Sequence, residues 1–194
     1  MPDVTALPIE TAVRWTIADL ESYPIVEGNR YEIIEGELLV STQPHVDHQE
    51  ACNNFAFELT AWVRAGGGGR VIPAPGVIFD PENAVAPDIV WVSGERAPHV
   101  VGEDGKLHDA PELVVEVLSP GAVNMRRDRE AKLRLYSVRG VREYWIADWQ
   151  AKSLQVYRRE GAALKLAATL YAGDELTSSL LPGFKVPVAR LFPA

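Results

Sequence analysis

The chain has 194 residues, of which 47% are hydrophobic and 24% are charged, with a formal net charge of −8. This composition is that of a globular protein and excludes an intrinsically disordered chain. A chain of this length can bury a hydrophobic core without disulfides or a structural metal, so we expect a single domain over residues 1–194.

The distribution of apolar residues and cysteine indicates the compartment. No apolar run approaches the roughly 20 residues that cross a bilayer, and the first twenty residues contain no apolar targeting segment. The lone cysteine, Cys52, permits no internal disulfide. We therefore expect a cytoplasmic protein without a membrane helix.

Charge is unevenly distributed along the chain. Residues 1–60 hold eleven acids and two arginines, a balance of 2 − 11 = −9, whereas residues 124–142 hold seven basic and two acidic residues, a balance of 7 − 2 = +5. Such a basic run is either a solvated helix face or a surface that contacts phosphates.

The N-terminal part of the chain predicts a short helix followed by a hairpin. Thr16 and Asp19 have the spacing of a capping box, which marks a helix start. Residues 30–41 predict a β-hairpin that turns at Glu35 and Gly36.

The remaining sequence alternates between helical and extended patterns. Apolar residues recur at helical spacing from about residue 47 to residue 65, which predicts a long amphipathic helix. A second helix is predicted at about 124–138, and residues 94–110 are polar and predict a surface excursion. Strands are predicted at 70–79, 86–93, 112–118, 142–148, 153–159 and 164–171. This order indicates a mixed α/β fold.

A glutamate interrupts the most apolar of the predicted strands. Residues 112–118 are nearly continuous in apolar residues, which predicts a central strand covered on both faces. With a period of two, Glu116 shares a face with Val114 and Leu118, so its carboxylate points into the core and requires a partner. Glu112 lies at the strand entrance, where water can solvate it, and we expect a structural role for it.

A second acid, Asp88, also requires a partner, at the start of the predicted strand 86–93. Aspartate is a poor strand former, and apolar residues follow it on the same face. If this strand neighbours strand 112–118, Asp88 and Glu116 converge. Two carboxylates in a cleft are suitable ligands for Mg²⁺ or Mn²⁺.

The helix at 124–138 directs a cation toward these acids. At 3.6 residues per turn, Lys132 and Arg129 fall within the apolar arc, whereas Arg127 and Arg134 lie on the opposite side. Lys132 either extends its charge to water along apolar surface or pairs with the buried carboxylates.

These residues belong to a longer pattern that resembles a known family. The pattern comprises Tyr31 to Glu37 (YEIIEGE), Pro44 and His48, Ala86-Pro87-Asp88, Pro111 to Pro120 (PELVVEVLSP), Arg126 to Tyr136, Gly140 to Trp145 (GVREYW), Leu181 to Phe184 and Leu191-Phe192. The chain thereby resembles the Uma-two type of restriction endonuclease over about residues 15–192. That family is similar in fold to the PD-(D/E)XK nucleases. The resemblance implies an α/β (α+β) restriction-endonuclease-like domain: a central mixed β-sheet flanked by helices, with an N-terminal β-hairpin and additional C-terminal strands.

The resemblance also implies a catalytic site. Asp88 and Glu116 would hold Mg²⁺ or Mn²⁺, with the carbonyl of Val117 as a further ligand. The sequence departs from the superfamily pattern at Leu118, where a lysine is expected. In the Uma-two type this lysine comes from the following helix, and Lys132 matches it. Lys132 would orient or deprotonate the attacking water, or stabilise charge on the phosphate.

Further residues have supporting roles under the same resemblance. Arg126 and Arg129 would bind the phosphate backbone. His48 matches a family position near the start of the first long helix, and it is either a site residue that carries protons or a helix-terminal residue without such a role. Glu32 and Glu37 lie in the hairpin, and either of them could reach the metal.

Two classes of function are compatible with these observations. The first is a Mg²⁺-dependent nuclease that hydrolyses phosphodiester bonds in DNA. The alternative is a noncatalytic nucleic-acid-binding or protein-interaction module on the same fold, because a fold does not establish a function.

We also expect a homodimer, from the implied fold and from aromatic residues in the late strands that are either exposed or packed in the core. These residues are Tyr144, Trp145, Trp149, Tyr157 and Tyr171.

Overall fold

The computed structural model describes residues 13–193. Its strands are β1 (Arg30–Ile34), β2 (Glu37–Ser41), β3 (Arg70–Pro73), β4 (Val77–Asp80), β5 (Asn83–Val85), β6 (Ile89–Val92), β7 (Leu113–Val117), β8 (Glu143–Asp148), β9 (Ser153–Glu160), β10 (Ala163–Tyr171), β11 (Glu175–Thr177) and β12 (Lys185–Pro187). Its α-helices are α1 (Ile17–Ser22), α2 (Val46–Trp62), α3 (Ala97–Val100), α4 (Ala122–Arg126) and α5 (Leu133–Arg139).

A six-stranded sheet forms the centre of the fold, in the order β10-β9-β8-β7-β6-β3. Strands β7 and β8 are parallel, and the remaining neighbours are antiparallel. The parallel pair requires a crossover, which the helical segment from α4 to α5 provides. The sheet is therefore mixed and flanked by helices, as the sequence predicts.

The predicted hairpin belongs to a second sheet of four strands, in the order β2-β1-β5-β4. Its two turn residues, Glu35 and Gly36, both have positive φ, at 52° and 77°. Positive φ at both central residues is the geometry of a type I′ turn, which matches the twist of the flanking strands. The Glu35 amide also donates to Asn83 Oδ1 at 2.9 Å, which holds this non-glycine residue in the left-handed region.

Strand β7 is buried on both faces, as its apolar sequence predicts. On one face it packs against α2, in a cluster that includes Leu113, Val115, Val117, Ala51, Phe55 and Leu59. On the other face it packs against α5, in a cluster that includes Val114, Leu118, Leu135, Tyr136 and Tyr144. Any polar side chain on β7 must therefore find its partners inside the protein.

The helix predicted at 124–138 is interrupted. A π-helical segment, Arg127–Lys132, lies between α4 and α5. Hydrogen bonds from residue i to i+5 widen this turn, so positions within it do not follow the 3.6-residue period. The prediction that Arg127 points away from the core is consequently wrong: its side chain is largely buried and its Nε lies 3.0 Å from Asp128 Oδ1.

Two other segment predictions also differ from the structure. The predicted strand at 70–79 is divided into β3 and β4, which belong to different sheets. The polar segment 94–110 contains α3 and contributes buried residues to the core, because its few apolar side chains fold inward.

One prediction of exposure is wrong, and the two alternatives for the late aromatic residues both occur. Glu112 is buried and paired with Arg96 Nη1 at 3.2 Å, because β7 lies in the middle of the sheet, where water does not reach its entrance. Tyr144 and Trp145 are buried in β8, whereas Tyr171 is exposed.

No helix within residues 13–193 is long and apolar enough to cross a membrane. Asp3 and Glu10, which contribute to the acidic balance of the N-terminal part, lie outside the described residues.

Candidate functional site

The two acids predicted to converge lie side by side at one end of the central sheet. Strands β6 and β7 pair antiparallel, with Ile89 opposite Val115 and Val90 opposite Val114. Continuing this register by one residue brings Asp88 opposite Glu116, with both side chains on the same face. Both residues are buried, with exposed fractions of 5% and 2%.

Both carboxylate oxygens of Asp88 have protein partners. Oδ1 accepts a hydrogen bond from Arg30 Nη1 at 2.9 Å. Oδ2 accepts one from the Val117 amide at 2.9 Å and lies 3.4 Å from His48 Nε2. These contacts connect Asp88 to the hairpin, to β7 and to α2.

Glu116 uses one carboxylate oxygen for its contacts inside the protein. Oε1 accepts hydrogen bonds from Lys132 Nζ at 2.8 Å and from the Tyr136 hydroxyl at 3.0 Å. Within the described residues, Oε2 accepts no hydrogen bond. One oxygen of Glu116 is therefore held by the helix, and the other is available to a ligand.

Lys132 is fully buried and has three carboxylate neighbours. Besides Glu116, its Nζ lies 2.9 Å from Glu32 Oε1 and 3.7 Å from Asp128 Oδ1. Glu32 Oε1 also accepts a hydrogen bond from the Ala86 amide at 2.9 Å. Lys132 thus joins the hairpin, the central strand and its own helix.

The pKa values of the acids differ because their neighbours differ. Burial raises the pKa of Asp88, but the hydrogen bond and charge of His48 and the charge of Arg30 outweigh it, so this pKa lies well below its ordinary value. Burial and neighbouring carboxylates, Asp88 foremost, raise the pKa of Glu116 to about 8 despite the charge of Lys132. The site therefore places an acid of lowered pKa beside an acid of raised pKa.

The pKa of Lys132 is shifted in the opposite direction from that of an ordinary buried lysine. Burial lowers the pKa of Lys132, but the carboxylates of Glu116 and Glu32 outweigh it and raise this pKa above its ordinary value. Lys132 is therefore an ammonium group that donates hydrogen bonds.

A cavity of about 280 Å³ opens beside the paired acids. Asp88 and Glu116 contribute to its wall, together with Arg30, Arg127 and His48. Lys132 does not line the cavity. The cations that face it are arginines from the hairpin and the π-helical segment.

A second group of ligand-type side chains shares Asp88. The candidate ligand atoms of His48, Cys52 and Asp88 all lie within 4.8 Å of one another. Burial and the carboxylates of Asp88 and Glu116 raise the pKa of the Cys52 thiol well above its ordinary value. The thiolate that a soft metal would require is therefore disfavoured here.

The structure brings together five of the residues predicted for the site and leaves three others apart. The residues at the cluster are Asp88, Glu116, Lys132, His48 and Glu32, with Val117 in the cavity wall. The other three, Glu37, Arg126 and Arg129, are absent from this wall. Glu37 and Arg126 line a separate cavity of about 640 Å³ nearer the turn of the hairpin. Arg129 Nη2 lies 3.3 Å from Asp148 Oδ2.

Four residues of the site escaped the sequence analysis: Arg30, Arg127, Asp128 and Tyr136. Asp128 and Tyr136 are four residues before and after Lys132, so the helical spacing was the signal for both. Arg30 has no local signal, because it is 58 residues from its partner in the chain.

Comparison with known proteins identifies the family and the fold. The model of the Uma2 family, described as a putative restriction endonuclease, matches residues 17–189. The chain is also similar to a putative nuclease of DUF820 from Anabaena variabilis ATCC 29413, with a TM-score of 0.70 and 18% sequence identity over 91% of this chain and 97% of that chain. No curated protein sequence matches. At 18% identity the structural likeness supports the fold alone. The family model extends over most of the chain, and the protein therefore belongs to the Uma2 family.

Proposed function

We propose that the protein is a nuclease that hydrolyses phosphodiester bonds in DNA, using water activated by Mg²⁺ or Mn²⁺ in a site of the PD-(D/E)XK type. One observation carries the proposal: carboxylates from two adjacent strands, Asp88 and Glu116, face one cavity that two arginines also line. A site of this charge pattern can take a cation and a phosphate together. The family match agrees with a nucleic acid as the partner.

The residues at the cavity fit a hard divalent cation. Asp88 and Glu116 would hold it, with the carbonyl of Val117 as a further ligand, since oxygen atoms are the ligands that Mg²⁺ and Mn²⁺ prefer. The unpaired Oε2 of Glu116 is the observation that supports this fit. When bound, the metal would lower the pKa of a water molecule and neutralise charge on the phosphate.

Lys132 has a different role in this proposal from that of a general base. It is buried, protonated and outside the cavity wall, so it holds Glu116 Oε1 and compensates its charge once that acid ionises. His48 lines the cavity, and its Nε2 lies 3.4 Å from Asp88 Oδ2. We assign His48 the role of proton carrier.

Fixed positive charge in the cavity would bind the substrate phosphate. Arg127 is held in place by Asp128, with N–O distances of 3.0 and 3.4 Å. Arg126 is more exposed on the same helical segment, and with Arg129 it would contact phosphates farther along the DNA. Binding by such residues should weaken with salt.

The noncatalytic alternative has its own supporting observation. Asp88 and Glu32 both accept hydrogen bonds from protein groups, and Lys132 has three carboxylate neighbours. A polar network of this kind can stabilise a fold by itself. The two functions differ in whether the site takes up a cation.

Calorimetric titration of Mn²⁺ tests the proposal without knowledge of the DNA sequence. We expect binding to the wild type and a loss of at least about tenfold in affinity with Glu116→Gln, since a ligating charge is removed. Glu112→Gln is the matched control, because Glu112 is buried on the same strand but pairs with Arg96 away from the cavity. Cys52→Ala should leave the affinity unchanged, and a loss there would instead support a site of His48, Cys52 and Asp88.

Cleavage of a mixture of DNA duplexes completes the test. Cleavage should require Mg²⁺ or Mn²⁺ and should be lost in Glu116→Gln but not in Glu112→Gln. Salt-dependent binding of DNA without cleavage under any of these conditions would support the noncatalytic module instead.

We further propose that two copies of the chain associate through β10, the end strand of the central sheet. Within the described residues no strand pairs with its outer edge, and Leu166 and Tyr171 are 51% and 57% exposed. An apolar edge strand with a single charged residue, Lys165, is a template for pairing with a second copy.

A further inference from the structure

Arg30 has an unusual position among the cations of the site. It is the first residue of β1, its side chain is 32% exposed, and it lines the cavity beside Asp88 and Glu116. Its Nη1 donates to Asp88 Oδ1 at 2.9 Å and to the Ala86 carbonyl at 3.0 Å. The guanidinium thus occupies one of the carboxylate oxygens that Asp88 could offer to a cation.

A divalent cation held by Asp88 would compete with the Arg30 guanidinium for Oδ1. Two positive charges a few ångströms apart repel each other, and the repulsion is strong where water is partly excluded. Asp88 would keep its position when Arg30 leaves, because Oδ2 retains the Val117 amide and His48. Removal of Arg30 therefore frees Oδ1 without releasing the acid.

The other cations near the acids lack this freedom. Lys132 is fully buried among three carboxylates. Arg127 is held by Asp128, and its side chain is only 12% exposed. Arg30 combines exposure with adjacent open space, so its guanidinium can move into the cavity while its backbone remains in β1.

We propose that Arg30 is a phosphate-binding residue that the metal-free protein holds on Asp88 and that the metal releases toward the substrate. The inference rests on the proposed nuclease function. Arg30 donates to Asp88, and with a cation held by the acids its planar fork would bind oxygens of a phosphate in the same cavity.

The test uses two binding measurements on the folded protein without cleavage. Mn²⁺ is titrated calorimetrically, and thymidine 5′-monophosphate is then titrated into the Mn²⁺-loaded protein as a phosphate probe. In Arg30→Gln we expect Mn²⁺ to bind about tenfold more tightly, because a competing cation is gone, and the nucleotide to bind about tenfold more weakly. Opposite changes in the two affinities are the signature of the proposed role.

Arg139→Gln is the matched control. Arg139 has a similar exposed fraction, 31%, and pairs with Asp80, so the substitution removes the same charge away from the cavity. It should leave both affinities unchanged. Arg30→Lys, checked for folding by its thermal transition, retains the competing charge and should keep the wild-type Mn²⁺ affinity while losing nucleotide affinity.

The outcomes separate this inference from the proposed function. If the wild type and Glu116→Gln differ in Mn²⁺ binding but Arg30→Gln matches the wild type in either affinity, the role of Arg30 is wrong and the metal site stands. If the wild type takes up no Mn²⁺, the proposed function and the role of Arg30 both fail.

Discussion

Lys132 Nζ lies 2.8 Å from Glu116 Oε1, and both side chains are buried. The two residues come from different elements, the helical segment after β7 and β7 itself, so their contact connects the crossover to the sheet. Because Lys132 also contacts Glu32 at 2.9 Å, it connects the hairpin as well. A single cation thereby supports three elements that form the cavity.

Replacing Lys132 should destabilise the fold strongly. In Lys132→Met a side chain of similar length remains, but the carboxylates of Glu32 and Asp128 lose their buried cation. Removing one partner of a buried ion pair costs about 3–5 kcal/mol, and we expect a loss of unfolding free energy in this range, measured by urea denaturation. A loss below about 1 kcal/mol would show that the carboxylates relax or become protonated without cost.

The matched substitution is Lys165→Met on β10. Lys165 also pairs with a glutamate, Glu160, at 3.1 Å, but both side chains are exposed. Exposed pairs contribute about 0–1 kcal/mol, so this variant should unfold close to the wild type.

Metal affinity should rise with pH below about 8. In the metal-free protein the pKa of Glu116 is raised to about 8 by burial and by nearby carboxylates, whereas a bound cation requires its ionised form. One proton must therefore leave, and the apparent Mn²⁺ affinity should increase about tenfold between pH 6.5 and 7.5. Calorimetry in buffers of different ionisation enthalpy measures both the affinity and the released proton.

The same shift has a consequence for the stability of the metal-free protein. The folded-state pKa of Glu116 exceeds that of an unfolded glutamate, about 4.3, so the folded protein binds more protons between these values. Its contribution to stability is complete below about pH 4.3 and is lost as the pH rises through about 8. Glu116→Gln should remove this part of the pH dependence, and an identical pH profile in both proteins would contradict the shift.

The close approach of Gly69 to Trp91 gives a prediction for the fold alone. Gly68 and Gly69 both have positive φ, at 78° and 82°. A Cβ at Gly69 would lie 2.5 Å from Trp91 Nε1 and 2.6 Å from the Val92 carbonyl oxygen, whereas a Cβ at Gly68 meets nothing within 4 Å. Gly68→Ala should cost about 1–3 kcal/mol from backbone strain, and Gly69→Ala at least about 1 kcal/mol more. Equal denaturation midpoints would show that Trp91 moves aside.

The sequence predicts the acids well because their signal is local. An acid inside an apolar strand must have a partner, and this argument leads to Glu116 and Asp88, whereas Lys132 follows from the helical spacing. The sequence does not decide whether Glu32 or Glu37 reaches the site, since both belong to one hairpin. The register pairs Glu32 with Leu39 and Ile34 with Glu37, so both acids face the same side of the hairpin, and they are separated along it because Glu37 lies at the turn.

The arginines are where prediction from sequence fails. Arg127 is assigned to the wrong side because the π-helical segment changes the angular spacing of the helix, and no residue pattern announces that segment. Arg30 contacts Asp88 only through the packing of two sheets. The interpretation of the chain as a single domain stays a prediction.

Association through β10 is the remaining prediction. Leu166→Lys introduces charge on the exposed edge strand, and charged side chains on an edge prevent pairing with another chain. The wild type should sediment at equilibrium as a dimer of the 21.3 kDa chain, and Leu166→Lys should shift the equilibrium at least about tenfold toward the monomer. Val40→Lys is the control, because Val40 is exposed on β2, which belongs to the other sheet. A monomeric wild type would end the proposal, and equal weakening by both substitutions would move the interface away from β10.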